Sequence, residues 1–175
     1  MKYYIIISDK EQPNQPMLIN WYNKIDVRNL HPGNYGKIPD KTMIYVKHDK
    51  DLIFPKVVVH PFFLRDQDIR NIMDKYEPNM NYKIVFLVDK KNGNFKNYSL
   101  PLLREFDCIS DKSEFNQDKS VIHKLVLKKE RLPFGVPVFV LKGLNTRCII
   151  ARMDFMESIL RKEANGFILK SVEIE

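Results

Sequence analysis

The segment from Glu105 to Phe115, EFDCISDKSEF, concentrates side chains that can do chemistry: four carboxylates, one thiol and two hydroxyls. Carboxylates and a thiolate can hold a metal ion, and a hydroxyl or thiol beside a base can act as a nucleophile. A strand that ends in a polar turn has the same composition. Strand alternation places Phe106, Cys108 and Ser110 on one face, and the flanking acids disfavour a thiolate at Cys108. We therefore predict a strand end and a turn here.

The histidines and the second cysteine show no local pattern of a metal or nucleophile site. The histidines are His31, His48, His60 and His123. None belongs to HxxxH or HExxH, neither cysteine has a CxxC partner, and GxSxG and SxxK are absent. We expect Cys148 and His123 to be core residues, the latter because it alternates with Val121 and Leu125. The sequence predicts no catalytic residue, metal site or cofactor; an enzyme with a site assembled from distant residues, such as Asp107 and His123, is an alternative.

The charge of the chain raises a second alternative, a nucleic-acid-binding module. The net charge is +7 and the pI is near 9.3, which fits an anionic partner and equally fits compositional drift toward lysine. One predicted hairpin, from Lys90 to Tyr98, combines basic and aromatic side chains that can grip phosphates and stack on bases. A second basic cluster lies at Lys128, Lys129 and Arg131. No RNA-recognition octapeptide or helix-turn-helix pattern accompanies either cluster.

The elements that would position these residues indicate an α+β fold. The 175 residues, 44% of them hydrophobic, suit a single domain over 1–175, with a loop-rich part at 1–80 and a regular β-rich part at 81–175. Short strands grouped by hairpins favour a largely antiparallel, twisted sheet, with Tyr3–Ser8 as one central strand. Apolar residues at spacings of three and four predict two main helices, at about 66–76 and 154–164.

Several local signals refine this outline. Asn92-Gly93 predicts a two-residue hairpin turn between strands at 83–89 and 95–99, because both central residues of that turn take positive φ. Residues 121–128 alternate as one strand. Gly166 is expected to stop the second helix before a last strand at 167–174. No signal peptide and no run of about 20 apolar residues is present, so we expect a cytoplasmic protein without a membrane partner.

The C-terminal part carries a pattern of short motifs from Tyr98 to Glu175. They are YSLPLL, EFDCISDKSEF, the strand at 122–128, PVFVLKG, RCIIA, MDFMESILRKEA and GFILKSVEIE. An acidic strand end is followed by Lys112-Ser113, Phe139 and Leu141 form an F-x-L strand, and a short helix precedes a Gly-Phe strand. This pattern resembles the bacterial immunity-type proteins of polymorphic toxin systems, a group formerly described only as a domain of unknown function.

The resemblance implies a protein that binds and neutralises a cognate toxin by association, without catalysis. A basic inhibitor suits a toxin with an acidic surface. The candidate partner-binding residues combine the two basic clusters with residues of the loop-rich 12–40 segment, which is a candidate specificity element. They are Trp21, Tyr35, Lys37, Lys90, Lys91, Lys96, Lys128, Lys129 and Arg131.

Overall fold

A computed structural model describes residues 1–175 as fourteen strands, two α-helices and four short 3₁₀ helices. The strands are β1 Tyr3–Ser8, β2 Lys41–Tyr45, β3 Val57–Val58, β4 Leu64–Arg65, β5 Tyr82–Val88, β6 Phe95–Pro101, β7 Glu105–Phe106, β8 Glu114–Phe115, β9 Ile122–Lys124, β10 Val126–Leu127, β11 Val138–Leu141, β12 Ile149–Arg152, β13 Phe167–Ser171 and β14 Glu173–Ile174. The helices are α1 Gln67–Tyr76 and α2 Met153–Leu160. Neither helix is long and apolar enough to cross a membrane.

The strands form two five-stranded sheets and two short ribbons. Sheet 1 has the order β13-β1-β12-β11-β7, and sheet 2 has the order β2-β5-β6-β4-β3. Neighbouring strands are antiparallel except for β2 with β5, β7 with β11 and β10 with β14. The predicted α+β class with largely antiparallel pairing is confirmed, and so is the interior position of β1. The strands are divided between two sheets, which local patterns do not specify.

The two helices lie between the sheets. Val138 and Val140 of sheet 1, Val57 of sheet 2, and the apolar faces of α1 and α2 share one buried cluster. Phe139 and Leu141 point to the opposite side of sheet 1 and pack in a second cluster with Cys108. Both faces of β11 are therefore buried, which explains its continuous apolar sequence.

The first helix begins and ends where the sequence predicts. Asp66 is its N-cap, and the carboxylate accepts a hydrogen bond of 3.1 Å from the Ile69 backbone N–H. Its buried face consists of Ile69, Ile72 and Met73, at the spacing of one helical stripe. The second helix ends at Leu160, so the expected end at 164 is wrong. Gly166 lies six residues beyond the last helical residue and does not stop the helix.

Two further local expectations are corrected. His123 is exposed rather than buried, because the expected single strand breaks at Leu125 into β9 and β10. The hairpin between β5 and β6 has a longer turn than predicted: Asp89 N donates to Asn94 O at 2.8 Å, and Gly93 N donates to Asp89 O at 2.9 Å. Only Gly93 has positive φ, at 77°, so the turn closes on a glycine without the paired positive φ of a two-residue turn.

The loop-rich segment at residues 12–40 contains no strand. It forms 3₁₀ helices at Trp21–Asn23, Val27–Asn29 and Tyr35–Lys37, and its buried residues pack on the face of sheet 2 opposite α1. The Trp21 ring meets Phe62 edge-to-face, with centroids 5.9 Å apart, and this contact anchors the segment to the core.

Arg65 is a buried charge that its surroundings compensate poorly. Its Nε donates to Ser99 Oγ at 3.0 Å, while Nη1 and Nη2 have no hydrogen-bond partner. Asp74 lies 3.7 Å from Nη2 and is partly exposed, and burial lowers the pKa of Arg65 to about 10. The native arrangement therefore includes an unrecovered desolvation cost.

We expect Arg65→Met to raise the free energy of unfolding by about 1–4 kcal/mol, because an apolar chain of similar length replaces an ill-paired buried charge. Arg65→Ala removes the same charge but leaves a cavity, and should be less stable than Arg65→Met by about 2 kcal/mol or more. Urea unfolding of the three proteins measures both differences. A methionine variant less stable than the wild type would contradict the interpretation.

Candidate protein-binding face

Sheet 2 exposes a contiguous group of large apolar side chains on one face, called here the apolar face. It consists of Met43, Tyr45, Phe86, Val88 and Phe95. The strand register pairs Met43 with Phe86, Tyr45 with Val88, and Val88 with Phe95, so all five point to the same side. Met43 is 51% exposed, Tyr45 41% and Phe95 61%. Contiguous exposed apolar patches are common at sites where proteins bind partners.

Helix α1 covers one part of this side of sheet 2, and the apolar face begins where the helix ends its contact with the sheet. The helix packs on β4 and β6, over the part of the same sheet face that carries Arg65 and Ser99. Arg70 of α1 places its guanidinium carbon 4.0 Å from the Tyr82 ring centroid, at the first residue of β5. The apolar face lies beyond this contact, toward the last residue of β5 and the edge strand β2.

Lysines surround the apolar face, and the face itself carries no acid. Lys41 and Lys47 flank Met43 and Tyr45 along the chain, and Lys90 Nζ lies 5.5 Å from the Tyr45 ring centroid. No Asp or Glu occupies an outward-facing position of β2, β5 or β6. These lysines form no ion pair within the chain, unlike Lys56, Lys83 and Lys96. The electrostatic field over the face is therefore positive.

A buried carboxylate fixes the hairpin tip that carries Lys90 and Lys91. The Asp89 side chain is fully buried, accepts a hydrogen bond of 3.0 Å from the Lys91 backbone N–H, and lies 2.6 Å from His48 Nδ1. Burial raises the pKa of Asp89, but the hydrogen bonds from His48 and from the Lys91 and Asn92 backbones outweigh it and hold the pKa below its usual range. The two lysines are thus presented on an ordered turn.

Strand alternation divides the predicted nucleic-acid hairpin between two faces. Phe95 is exposed, whereas Lys96 and Tyr98 point to the opposite side. The Tyr98 hydroxyl is buried and donates to the Pro55 carbonyl at 2.6 Å, and Lys96 Nζ lies 3.0 Å from Asp66. These basic and aromatic side chains therefore do not form one continuous surface.

The other candidate contact residues are dispersed. Tyr35 is a core residue whose hydroxyl donates to the Leu100 carbonyl at 2.7 Å, so it is not available to a partner. Lys37 is exposed, and Trp21 is half-buried in a cleft of about 440 Å³ beside His60. None of these three residues belongs to the apolar face.

The second basic cluster lies apart from the apolar face. Lys128 pairs with Asp111 at 2.9 Å, and Arg131 Nη1 lies 3.9 Å from Asp107. Lys129 is exposed and lines a groove of about 750 Å³ with Phe134, which is wholly exposed. Only Lys90 and Lys91 among the candidate contact residues therefore adjoin the apolar face.

The EFDCISDKSEF segment forms strand ends and a turn, as predicted. Cys108 is fully buried; burial and the adjacent Asp107 carboxylate raise its pKa to about 11. Burial likewise raises the pKa of Cys148 to about 12. Asp107 and His123 are both exposed and share no hydrogen bond. No group of three or more His, Cys, Asp or Glu side chains converges to hold a metal ion.

The sequence did contain a signal for the apolar face. In KTMIYVK, residues 41–47, two sets of side chains alternate: Thr42, Ile44 and Val46 are buried, and the large apolar Met43 and Tyr45 lie on the exposed face. A strand that is apolar on both faces and flanked by lysines is either covered by another element or available to a partner.

Comparison with known proteins adds no family to this description. No protein-family model matches the chain, and no curated protein matches it significantly.

Proposed function

We propose that this protein is an inhibitor of the immunity type, which binds a cognate bacterial toxin and blocks it by association, without catalysis. The observation that carries the proposal is the apolar face with its lysine rim. Tyr45, Phe95 and Met43 are residue types enriched in the cores of protein interfaces, and charged side chains surround them without interrupting them. The motif pattern of residues 98–175 supports the same function independently.

The apolar face suits a protein better than a nucleic acid. Single-stranded nucleic acids require aromatic stacking platforms interleaved with free cations along a groove. Phe95 is the exposed aromatic of the hairpin, Tyr98 is buried, and Lys96 is already paired with Asp66. Apart from the Tyr45 hydroxyl, the centre of the face offers apolar area and no hydrogen-bonding groups that could read bases.

The lysines around the apolar face favour a partner with an acidic surface. Lys41, Lys47, Lys90 and Lys91 are exposed and unpaired, so complementary carboxylates would steer the encounter and fix the orientation of the complex. The formal net charge of +7 acts in the same direction at long range.

Co-expression with the product of the adjacent gene tests the function. We expect that product to arrest growth when expressed alone, this protein to restore growth, and the two to purify as a stable complex. A neighbouring product that is not toxic and does not co-purify would contradict the proposal.

A further inference from the structure

Strand β2 is an edge of sheet 2, and most of the backbone groups that it directs away from β5 lack partners. Asp40 O accepts from Ile84 N at 2.9 Å and Val46 N donates to Val88 O at 3.0 Å, so even-numbered residues of this stretch bond to β5. In a parallel ladder the alternate residues direct their N–H and C=O groups away from the neighbouring strand. Met43 and Tyr45 are those residues.

The N-terminal segment covers only one end of this edge. Ile19 N donates to Tyr45 O at 2.8 Å, and Lys47 N donates to Met17 O at 2.9 Å. The N–H groups of Met43 and Tyr45 and the C=O of Met43 have no hydrogen bond on that side. An uncovered edge of this kind is a template for one more strand.

The open backbone and the apolar face coincide at the same two residues. An added strand beside Lys41–Tyr45 would place alternate side chains directly next to Met43 and Tyr45 on the apolar face. We propose that β2 recruits an extended acidic segment of the partner as a sixth strand of sheet 2, with apolar residues at alternate positions. This inference rests on the proposed function and specifies its mode of recognition.

The lysines select this occupant over a second copy of the chain. A second copy at the same edge would bring one lysine-rimmed face beside another, and neither copy supplies a carboxylate on that face to offset the repulsion. An acidic segment instead places carboxylates near Lys41, Lys47 and Lys90, while its backbone satisfies the open groups of Met43 and Tyr45.

A synthetic peptide tests the edge directly. The probe is fluorescently labelled acetyl-Asp-Val-Glu-Val-Glu-Val-Asp-amide, and the control peptide has the same residues with the valines in one block. Because the Met43 N–H is directed away from β5, Met43→Pro removes this donor and leaves the hydrogen bonds between β2 and β5 intact. The matched variant Met43→Ala removes the same side chain but keeps the N–H.

We expect the alternating peptide to bind better than the block peptide and to protect the Met43 and Tyr45 amides from hydrogen exchange. Met43→Pro should bind it at least about tenfold more weakly than Met43→Ala, because only the proline removes the outward donor. If the proline variant does not fold, hydrogen exchange of the Met43 and Tyr45 amides in the wild type, with and without the peptide, tests whether the peptide binds at this edge.

Equal binding to both variants with unprotected amides would overturn the inference, as would no preference for the alternating peptide. A dimer in sedimentation velocity with both amides protected before peptide is added would assign the edge to a second copy. Growth rescue by co-expression is a separate test of the proposed function. Any of these results would therefore contradict strand addition at β2 without contradicting the function.

Discussion

Replacing Tyr45 by aspartate is expected to weaken association with the proposed toxin partner by about 100-fold or more, because the substitution puts a charge at the centre of the proposed interface. Tyr45 lies between Met43 and the hairpin and is paired in register with Val88. A carboxylate there loses the aromatic contact area and must be desolvated against apolar neighbours. Isothermal titration calorimetry of the purified pair measures the loss.

The folded state should tolerate this change, since 41% of Tyr45 is already exposed. Thermal unfolding of the isolated variant checks that the fold is intact. The matched control is Phe134→Asp, which introduces the same charge at a wholly exposed aromatic outside the apolar face. Loss of binding in the Phe134 variant with retention in the Tyr45 variant would move the interface to the groove beside Lys129.

The elements that sequence patterns predicted well are those whose signals are local. Helix α1 combines a capping aspartate at 66 with apolar residues at helical spacing, and the structure confirms both. Residues 82–88 and 95–101 pair as a hairpin because Gly93 permits the chain to reverse between two apolar strands. Such features depend on a few neighbouring residues and need no knowledge of the rest of the fold.

The features that sequence patterns missed depend on distant contacts. Whether Met43 and Tyr45 are buried is decided by how far α1 extends across sheet 2; α1 packs on β4 and β6 and reaches β5 at Tyr82. His123 alternates with Val121 and Leu125 in sequence, yet the strand breaks at Leu125 and His123 is exposed. Strand alternation alone predicts that Lys96 and Tyr98 lie on the opposite face of the strand from Phe95. The composition of the hairpin, which mixes basic and aromatic residues, does not show this division.

Gly166 shows the same dependence on distant contacts. Its φ is 97°, and a Cβ built there would lie 2.0 Å from the Val57 carbonyl oxygen and 2.9 Å from Pro55 Cβ. The adjacent Asn165 accepts hydrogen bonds from Val57 N at 3.2 Å and, through its side chain, from Lys56 N at 2.9 Å. The glycine thus permits the start of β13 in sheet 1 to meet β3 in sheet 2 backbone to backbone.

Gly166→Ala should therefore lower the free energy of unfolding by about 2–6 kcal/mol, which combines the strain of positive φ with overpacking against an immovable backbone. The matched control is Gly143→Ala, where φ is 89° and an added Cβ meets nothing within 4 Å. That variant has the backbone strain alone and should lose only about 1–3 kcal/mol. Urea unfolding measures the difference, and equal losses at the two glycines would show that the contact between the sheets is not close-packed at Gly166.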